Sequence, residues 1–428
     1  MKEVINIGVI GFGIVGSGAV KILLDNQDSI ARKVGCRLNI KRIADLDITT
    51  DRGFQVDRSI LTTNSDEIIN DPEIDIVVET IGGLKPAGDF IRRSLKAGKN
   101  VVTANKELIA KEGSTILPLA EEMGLDFMFE ASVGGGIPII RPLKSCLAGN
   151  EILEIKGIVN GTTNYILSRM RDEGLGFETV LKDAQANGYA ERDPTADVEG
   201  HDAAYKLSIL ASIAFTSRTD VTKVYHEGIT KISAEDMRGA DELGYVIKLL
   251  AIGKLIDGSV QARVHPAFVP KTHPLANVNG VFNAIYVKGS AVGEVMFYGR
   301  GAGSAAAGSA VVGDIVDIAR NINRGSTSRI PCTCFDSRDM LSMDSVVCKN
   351  YVRIVAEDKP RVLAAIATEF ANNNVSIESV IQKVRPSGDA EIVWLTHEAM
   401  EPNMRNALNA IRALPVVEEI GSWIRVEE

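Results

Sequence analysis

Cysteine is sparse in this 428-residue chain: there are five, an odd number, and only Cys332 and Cys334 stand close together. A Cys-x-Cys pair can bind metal or act as a redox switch. No histidine or further cysteine stands at ligand spacing from it, so free thiols are the expectation. No run of about 18 apolar residues exists, which argues against a membrane-spanning helix. An excess of basic residues is missing too. Lys and Arg number 47 against 56 Asp and Glu, a net charge of −9 with a pI near 5.3. That balance speaks against a nucleic-acid partner or an anionic membrane surface. The N-terminus enters a strand pattern without a signal peptide, and no repeat or low-complexity tract stands out. A soluble cytoplasmic protein is expected. Its 45% hydrophobic and 24% charged residues are ordinary, and the length suits two to four domains.

Residues 1–131 alternate strand-like apolar runs with amphipathic helical stretches. Val4–Ile10, Leu38–Ala44, Ile74–Glu79, Asn100–Thr103 and Leu125–Phe129 read as strands buried on both faces of a parallel sheet. The expected fold is α/β, with a doubly wound Rossmann-like nucleotide domain over 1–131 that residues 301–330 complete. From Glu151 the pattern changes to a strand (Glu151–Val159), three helical stretches, and strands near Ala262–Phe268 and Ala284–Gly289. That is a mixed α+β domain, placed at 132–300. A glycine loop, Gly299 to Ser304, opens a helix reaching Asn321, and residues 331–348 read as a polar linker with Pro331. Residues 349–428 follow the order β-α-β-β-α-β, a ferredoxin-like unit.

Gly11-Phe12-Gly13-Ile14-Val15-Gly16 follows the first strand and opens a helix, the context that gives this spacing its meaning. Gly11 permits the tight turn, Gly13 lets the backbone approach a pyrophosphate, and Gly16 lets helix and strand pack closely. The pyrophosphate then lies on the helix N-terminus. Asp45 ends the second strand, where an acid bonds the ribose hydroxyls. Arg42 and Arg52 are near enough to favour a phosphorylated ribose, so NAD and NADP both stay open. Thr80, in Glu79-Thr80-Ile81-Gly82-Gly83, and Lys106, in Thr103-Ala104-Asn105-Lys106, lie where ligands bind in such sheets. Taken alone, Lys106 is an ordinary solvated loop lysine.

The segment from Gly188 to Lys206 packs four acids between two glycines and then enters an apolar helix. Pro194 makes it turn and helix start rather than strand. Asp202 and Lys206 share one helix face a turn apart, where they can grip a small polar substrate and move a proton. A bare Asp-x-x-x-Lys is otherwise a common surface ion pair. Glu130 to Pro138 offers one carboxylate and a glycine-rich bend, suited to a hard, weakly charged cation or to a plain hinge. Gly157 to Tyr165 is a polar strand-to-helix turn, either a helix cap or a substrate floor.

In order, GFGIVG, ETIGG, TANK, EASVGGGIP, GIVNGTTNYIL, GYAERDPTADVEGHDAAYK and YGRGAG resemble homoserine dehydrogenase over residues 1–320. Residues 349–428, with EDKPRVL and SIESVIQ, resemble the ACT-type regulatory module of bacterial members. The resemblance implies NAD(P)H-dependent interconversion of L-aspartate 4-semialdehyde and L-homoserine, in threonine, methionine and isoleucine biosynthesis. It implies Lys206 as the proton donor, Glu191 and Asp202 as holders of the amino acid, and Lys106 between nicotinamide and substrate. It further implies sodium on Glu130 with the backbone oxygens of Val133, Gly135 and Ile137, and backbone contacts to the cofactor at Gly188 and Gly303. Residues 132–300 would bind substrate and dimerise, in a homodimer or homotetramer. Threonine is the first effector the family suggests. The module's loop commonly reads Pro-Gly-Val-Leu, yet here Arg361 follows Pro360 and adds bulk where glycine admits a ligand. Two alternatives stand beside this reading: another amino-acid dehydrogenase, and a cofactor-binding sensor with a dead site. The sensor would lack acid/base residues, whereas Glu191, Asp202, Lys106 and Lys206 are all present.

Overall fold

Apolar runs rich in Val and Ile become strands here, and the turns after them carry the glycines and polar residues of interest. The computed structural model describes residues 2–327 and 329–428. The chain begins β1 (Val4–Ile10), α1 (Ile14–Asp25), α2 (Gln27–Val34), β2 (Arg37–Ala44), β3 (Leu61–Thr62), α3 (Asp66–Ile69) and β4 (Ile76–Glu79). It continues α4 (Ala87–Lys96), β5 (Asn100–Thr103), α5 (Lys106–Glu122), β6 (Phe127–Met128), β7 (Ile152–Ile158), α6 (Gly161–Glu173), α7 (Phe177–Ala186) and α8 (Thr195–Val198). Next come α9 (His201–Ala214), β8 (Tyr225–His226), α10 (Ala234–Glu242), β9 (Tyr245–Ile256), β10 (Ser259–Pro270), β11 (Phe282–Gly289) and β12 (Gly293–Arg300). Last are α11 (Ser304–Arg324), β13 (Met340–Leu341), β14 (Val347–Cys348), β15 (Asn350–Ala356), α12 (Val362–Asn372), β16 (Ile377–Val384), β17 (Ala390–Thr396), β18 (Ala399–Met400), α13 (Glu401–Arg412) and β19 (Val417–Val426). No helix among the described residues is long and apolar enough to cross a membrane.

One compact unit comprises residues up to Ile155 with Tyr205–Thr222 and Asn283–Arg338. Its sheet is parallel, in the order β3-β2-β1-β4-β5-β6. The order reverses direction between β1 and β4, and ligands bind beyond the carboxyl ends of strands at such a point. Ile5, Ile7 and Val9 of β1 bury against Val20 and Leu23 of α1 and Val311, Ile315 and Ile318 of α11. The approach of α1 to α11 tolerates no side chain: a Cβ on Gly18 would lie 2.1 Å from the Ser304 carbonyl oxygen. Residues read as the start of a linker are held down in this unit. The Asp336 N–H donates to Thr216 O at 2.8 Å, and Arg338 Nε to Phe215 O at 3.0 Å.

The other unit comprises Lys156–Ala204, Lys223–Phe282 and Asp339–Glu428. Its spine is the antiparallel pair β9 and β10, in register from Ser259↔Ile256 to Pro270↔Tyr245. β9 is absent from the sequence-based expectation because its run is apolar almost throughout and mostly buried, which leaves no alternation to read. The C-terminal residues form the expected βαββαβ unit, with strand order β19-β15-β17-β16. β19 also pairs in parallel with β10, Ala267↔Arg425 and Phe268↔Val426. Arg361, at the N-cap of α12, has φ +77°, the left-handed backbone in which glycine is at ease.

Buried ion pairs fasten β19 in place. Arg425 donates to Glu401 through Nε (2.9 Å) and Nη2 (2.5 Å) and to Glu227 through Nη1 (3.0 Å). Arg263 pairs with Glu427, which Lys254 also approaches at 3.5 Å. Burial pushes the Glu427 carboxyl up, but Arg263 and Lys254 outweigh it and hold the group at about 2, below its ordinary 4.5. A depressed acid adds stability above its unfolded value and loses it as pH falls toward the folded one. Denaturant titrations across pH are therefore expected to show this unit weakening between pH 4.5 and 2. Glu427→Gln should flatten that decline and cost about 3 kcal/mol at pH 7, since it leaves Arg263 buried beside a neutral partner. An unchanged pH dependence in the variant would refute the assignment.

Candidate active site

The glycine loop is built around contacts that exclude side chains. Gly11 takes φ +102°, and a Cβ on Gly16 would lie 2.0 Å from the Gly11 carbonyl oxygen. A Cβ on Gly13 would meet nothing within 4 Å, so that side of the loop is open. Thr80, at the end of β4, ties the two strands together: its N–H donates to Ile10 O (2.9 Å) and its hydroxyl to Gly11 O (2.9 Å). Phe12 is buried in the loop, and α1 begins at Ile14 with Val15 packed on the core. Open loop, helix N-terminus and strand reversal together fit a dinucleotide's pyrophosphate.

Asp45 sits at the end of β2 as expected, with its carboxylate already engaged. Oδ2 accepts from the Phe12 N–H and Oδ1 from the Asp47 N–H (2.8 Å). Arg42 turns to Ser59 O (3.0 Å) and toward Glu67. Arg52 lies over the Phe12 ring at 5.6 Å, lining a cavity of about 360 Å³ with Thr49, Thr50 and Arg58. Its Nε is buried without a hydrogen-bond partner. Arg58 carries no motif and escaped the sequence reading. Only its place beside Arg52 singles it out.

Glu79 is fully buried, so its carboxyl is pushed up by burial. It accepts from the N–H groups of Ile81 (2.8 Å) and Gly82 (3.1 Å) and from the Thr103 hydroxyl (2.6 Å). This clamp shapes the loops that carry Thr80 and Lys106. Lys106 opens α5, capped by the Asn105 side chain, and is half-buried rather than a solvated loop lysine.

The bend at 130–138 is braced from within by its own acid. The Glu130 carboxylate accepts from the backbone N–H groups of Ile139 (2.6 Å), Ile140 (2.7 Å) and Arg141 (2.9 Å). Two of these amides fall on Oε1 and one on Oε2, so a lone pair of Oε2 is left over. Among the described residues no cluster of three His, Cys, Asp or Glu could hold a metal. Gly135 packs on the Gly303 loop so closely that a Cβ would come 2.3 Å from the Gly301 carbonyl oxygen. Gly303 itself precedes α11 with φ +110°.

In the second unit the acid-rich segment is turn and helix start, as expected. Gly188 (φ +73°) follows α7, and Gly200 (φ +84°) separates α8 from α9. Glu191 lies exposed on the turn, its carbonyl accepting from Gln185 Nε2 at 3.1 Å. Asp202 is 5% exposed and Lys206 9%, one turn apart on α9. Those values overturn the surface ion pair, because an exposed pair keeps its charges in water. Asn160 holds the cluster. Its Oδ1 caps α6 at the Thr163 N–H (2.9 Å), and its Nδ2 donates to Asp197 Oδ1 (2.6 Å) and Asp202 Oδ2 (2.9 Å). The turn at 157–165 is thus a helix cap that also braces the buried acid. Asp197 was no more than one of the four acids in the sequence.

Residues 138–316 match the family model for homoserine dehydrogenase, 11–130 the homoserine dehydrogenase NAD-binding domain, and 350–416 the ACT domain. A homoserine dehydrogenase of Neisseria gonorrhoeae is 43% identical, covering 100% of this chain and 99% of that protein. One from Synechocystis is 44% identical over 99% of each. The crystal structure of a homoserine dehydrogenase from Thiobacillus denitrificans superposes with a TM-score of 0.93 at 42% identity, covering 99% of this chain and 98% of that one. A hyperthermophilic archaeal homoserine dehydrogenase mutant in complex with NADPH gives 0.62 at 27% identity, covering 74% and 97%.

Removing the Asn160 side chain takes away a helix cap and the donor to two carboxylates. Asn160→Ala is expected to lower stability by about 2 kcal/mol in urea denaturation. Asn160→Asp should cost more, by adding a third carboxylate to the cluster. Losses under about 0.5 kcal/mol would show that the bridge contributes little.

Proposed function

The chain belongs to the homoserine dehydrogenase family, and from that premise we propose how its residues share the work of an NAD(P)-dependent oxidoreductase interconverting L-aspartate 4-semialdehyde and L-homoserine. When bound, the nicotinamide supplies or accepts the hydride on the substrate's carbonyl carbon. The protein's share is to place the reacting groups and to move one proton. Gly11, Phe12, Gly13, Ile14, Val15 and Gly16 with Thr80 hold the dinucleotide, and Gly188 and Gly303 add backbone contacts. Glu191 and Asp202 hold the amino acid. Lys206 gives a proton to the carbonyl oxygen in reduction and takes it back in oxidation, while Lys106 orients and polarises that oxygen. A protonated amine beside the developing alkoxide is the minimal acid this reaction needs. The burial of Asp202 and Lys206 a turn apart carries this reading. No step uses a cation. Sodium at the 130–137 bend would be held by Glu130 with the backbone oxygens of Val133, Gly135 and Ile137, and would stiffen the bend. The ACT-type module suits an amino-acid effector.

Lys206→Ala is expected to lower kcat by about 10²–10⁴-fold, as loss of a general acid does. Lys106→Ala should mainly raise the homoserine KM and leave measurable turnover in an absorbance assay. If Lys106→Ala abolished turnover while Lys206→Ala kept most of kcat, the two roles would be reversed.

We further propose NADP as the preferred cofactor. Arg52, which also pairs with Asp47 at 3.5 Å, and Arg58 line the cavity beside Phe12 with Thr49, Thr50 and Asp51; two guanidinium groups and two hydroxyls offer donors to a ribose phosphate, while Asp45 is engaged by its own chain. Arg52→Ala should raise KM for NADP by about 10–100-fold and change NAD by less than about threefold. Equal effects on both would refute this preference.

A further inference from the structure

Cys332 and Cys334 lie on the wall of a cavity of about 340 Å³ within the first unit, between α5, the later turns of α9 and residues 332–334. Neither thiol is fully buried. The Arg218 guanidinium donates to Cys332 Sγ at 3.4 Å, and Lys144 lines the same cavity. The Cys332 N–H is fixed on Glu121 Oε1 at 2.9 Å, and Cys334 Sγ reaches the Ser212 carbonyl at 3.3 Å. The adjoining Cys334, with Arg218 and Lys144 beyond it, outweighs burial and draws Cys332 below the ordinary thiol range. Cys334, whose S–H donates to the Ser212 carbonyl, is pushed up. The other cysteines lack this setting: Cys36 and Cys348 are buried, burial pushes Cys348 up to about 12, and Cys146 is simply exposed. An electropositive, partly open pocket is the environment that makes a cysteine reactive.

We propose that Cys332 is a modification site, a nucleophilic thiolate that meets a hydroperoxide in this cavity, with Cys334 as its resolving thiol. The Cys332 sulfur attacks one oxygen of the peroxide. An S–O bond forms, the O–O bond breaks, the sulfur is oxidised to a sulfenic acid, and the peroxide is reduced, hydroxide leaving in the case of hydrogen peroxide. The Cys334 sulfur then attacks the Cys332 sulfur. The S–S bond forms, the S–O bond breaks, and the hydroxyl departs with the Cys334 proton as water.

The test uses the reduced full-length protein, iodoacetamide from pH 6 to 9, and mass spectrometry of every cysteine peptide. Cys332 should alkylate at a rate nearly independent of pH over this range. At pH 6 the gain in thiolate, offset by lower intrinsic nucleophilicity, should leave Cys332 roughly tenfold faster than free glutathione added as a reference thiol. Arg218→Gln should shift the Cys332 profile to higher pH. Hydrogen peroxide should remove two hydrogens from the peptide holding both cysteines, reversibly with dithiothreitol, and Cys334→Ser should leave a sulfenic acid that dimedone traps at Cys332. An ordinary Cys332 profile with its inflection near pH 8.5 would overturn the proposal. So would oxidation of Cys146 ahead of Cys332. The wild-type profile decides the matter even if either variant folds poorly.

Discussion

A buried carboxylate must find donors within the protein, and two of them, Glu79 and Glu130, set the shape of the first unit's ligand end. Each ends or follows a strand where water is excluded, and each is satisfied mainly by backbone N–H groups. Glu79 gathers the turn that carries Thr80 and ties it to Thr103, ahead of Lys106. Glu130 gathers the amides of 139–141 and so folds the glycine bend back on itself. The strain of crowding acids shows in its neighbour: burial, with Glu130 beside it, pushes Asp314 to about 8. Gly135 can then sit against Gly301 where no side chain fits. The loops around a bound dinucleotide inherit their geometry from these two acids.

The same economy governs the second unit. Asp202 is acceptable inside because Asn160 donates to it, and Asn160 is held because it also caps α6. The ion pairs on β19 follow the rule with charged donors, Arg425 serving Glu401 and Glu227 together. Paired in this way, buried charges specify one arrangement strongly even where their net stabilisation is small.

Much of this could be read along the chain where the signal is local. The glycine fingerprint, the strands of the parallel sheet, the βαββαβ order and the helix start after Pro194 all depend on residues within a few positions of each other. β9 could not be read, because a run buried on both faces has no period. Asn160 and Asp202 are 42 residues apart, and Arg218 and Cys332 are 114 apart, so neither partnership leaves a local trace. The three amides on the Glu130 carboxylate could not be read either, since composition reports which groups exist and not their partners.

The sequence by itself determined the class of fold, the nucleotide loop and the set of residues able to do the chemistry, because spacing dictates which side chains share a turn, a face or a strand end. Only the tertiary structure decided which of those groups are withdrawn from water, which are spent on holding the chain together, and which gain a distant charge. Burial and partnership depend on segments far apart in sequence, and those two properties separate Asp202 and Lys206 from an ordinary surface pair.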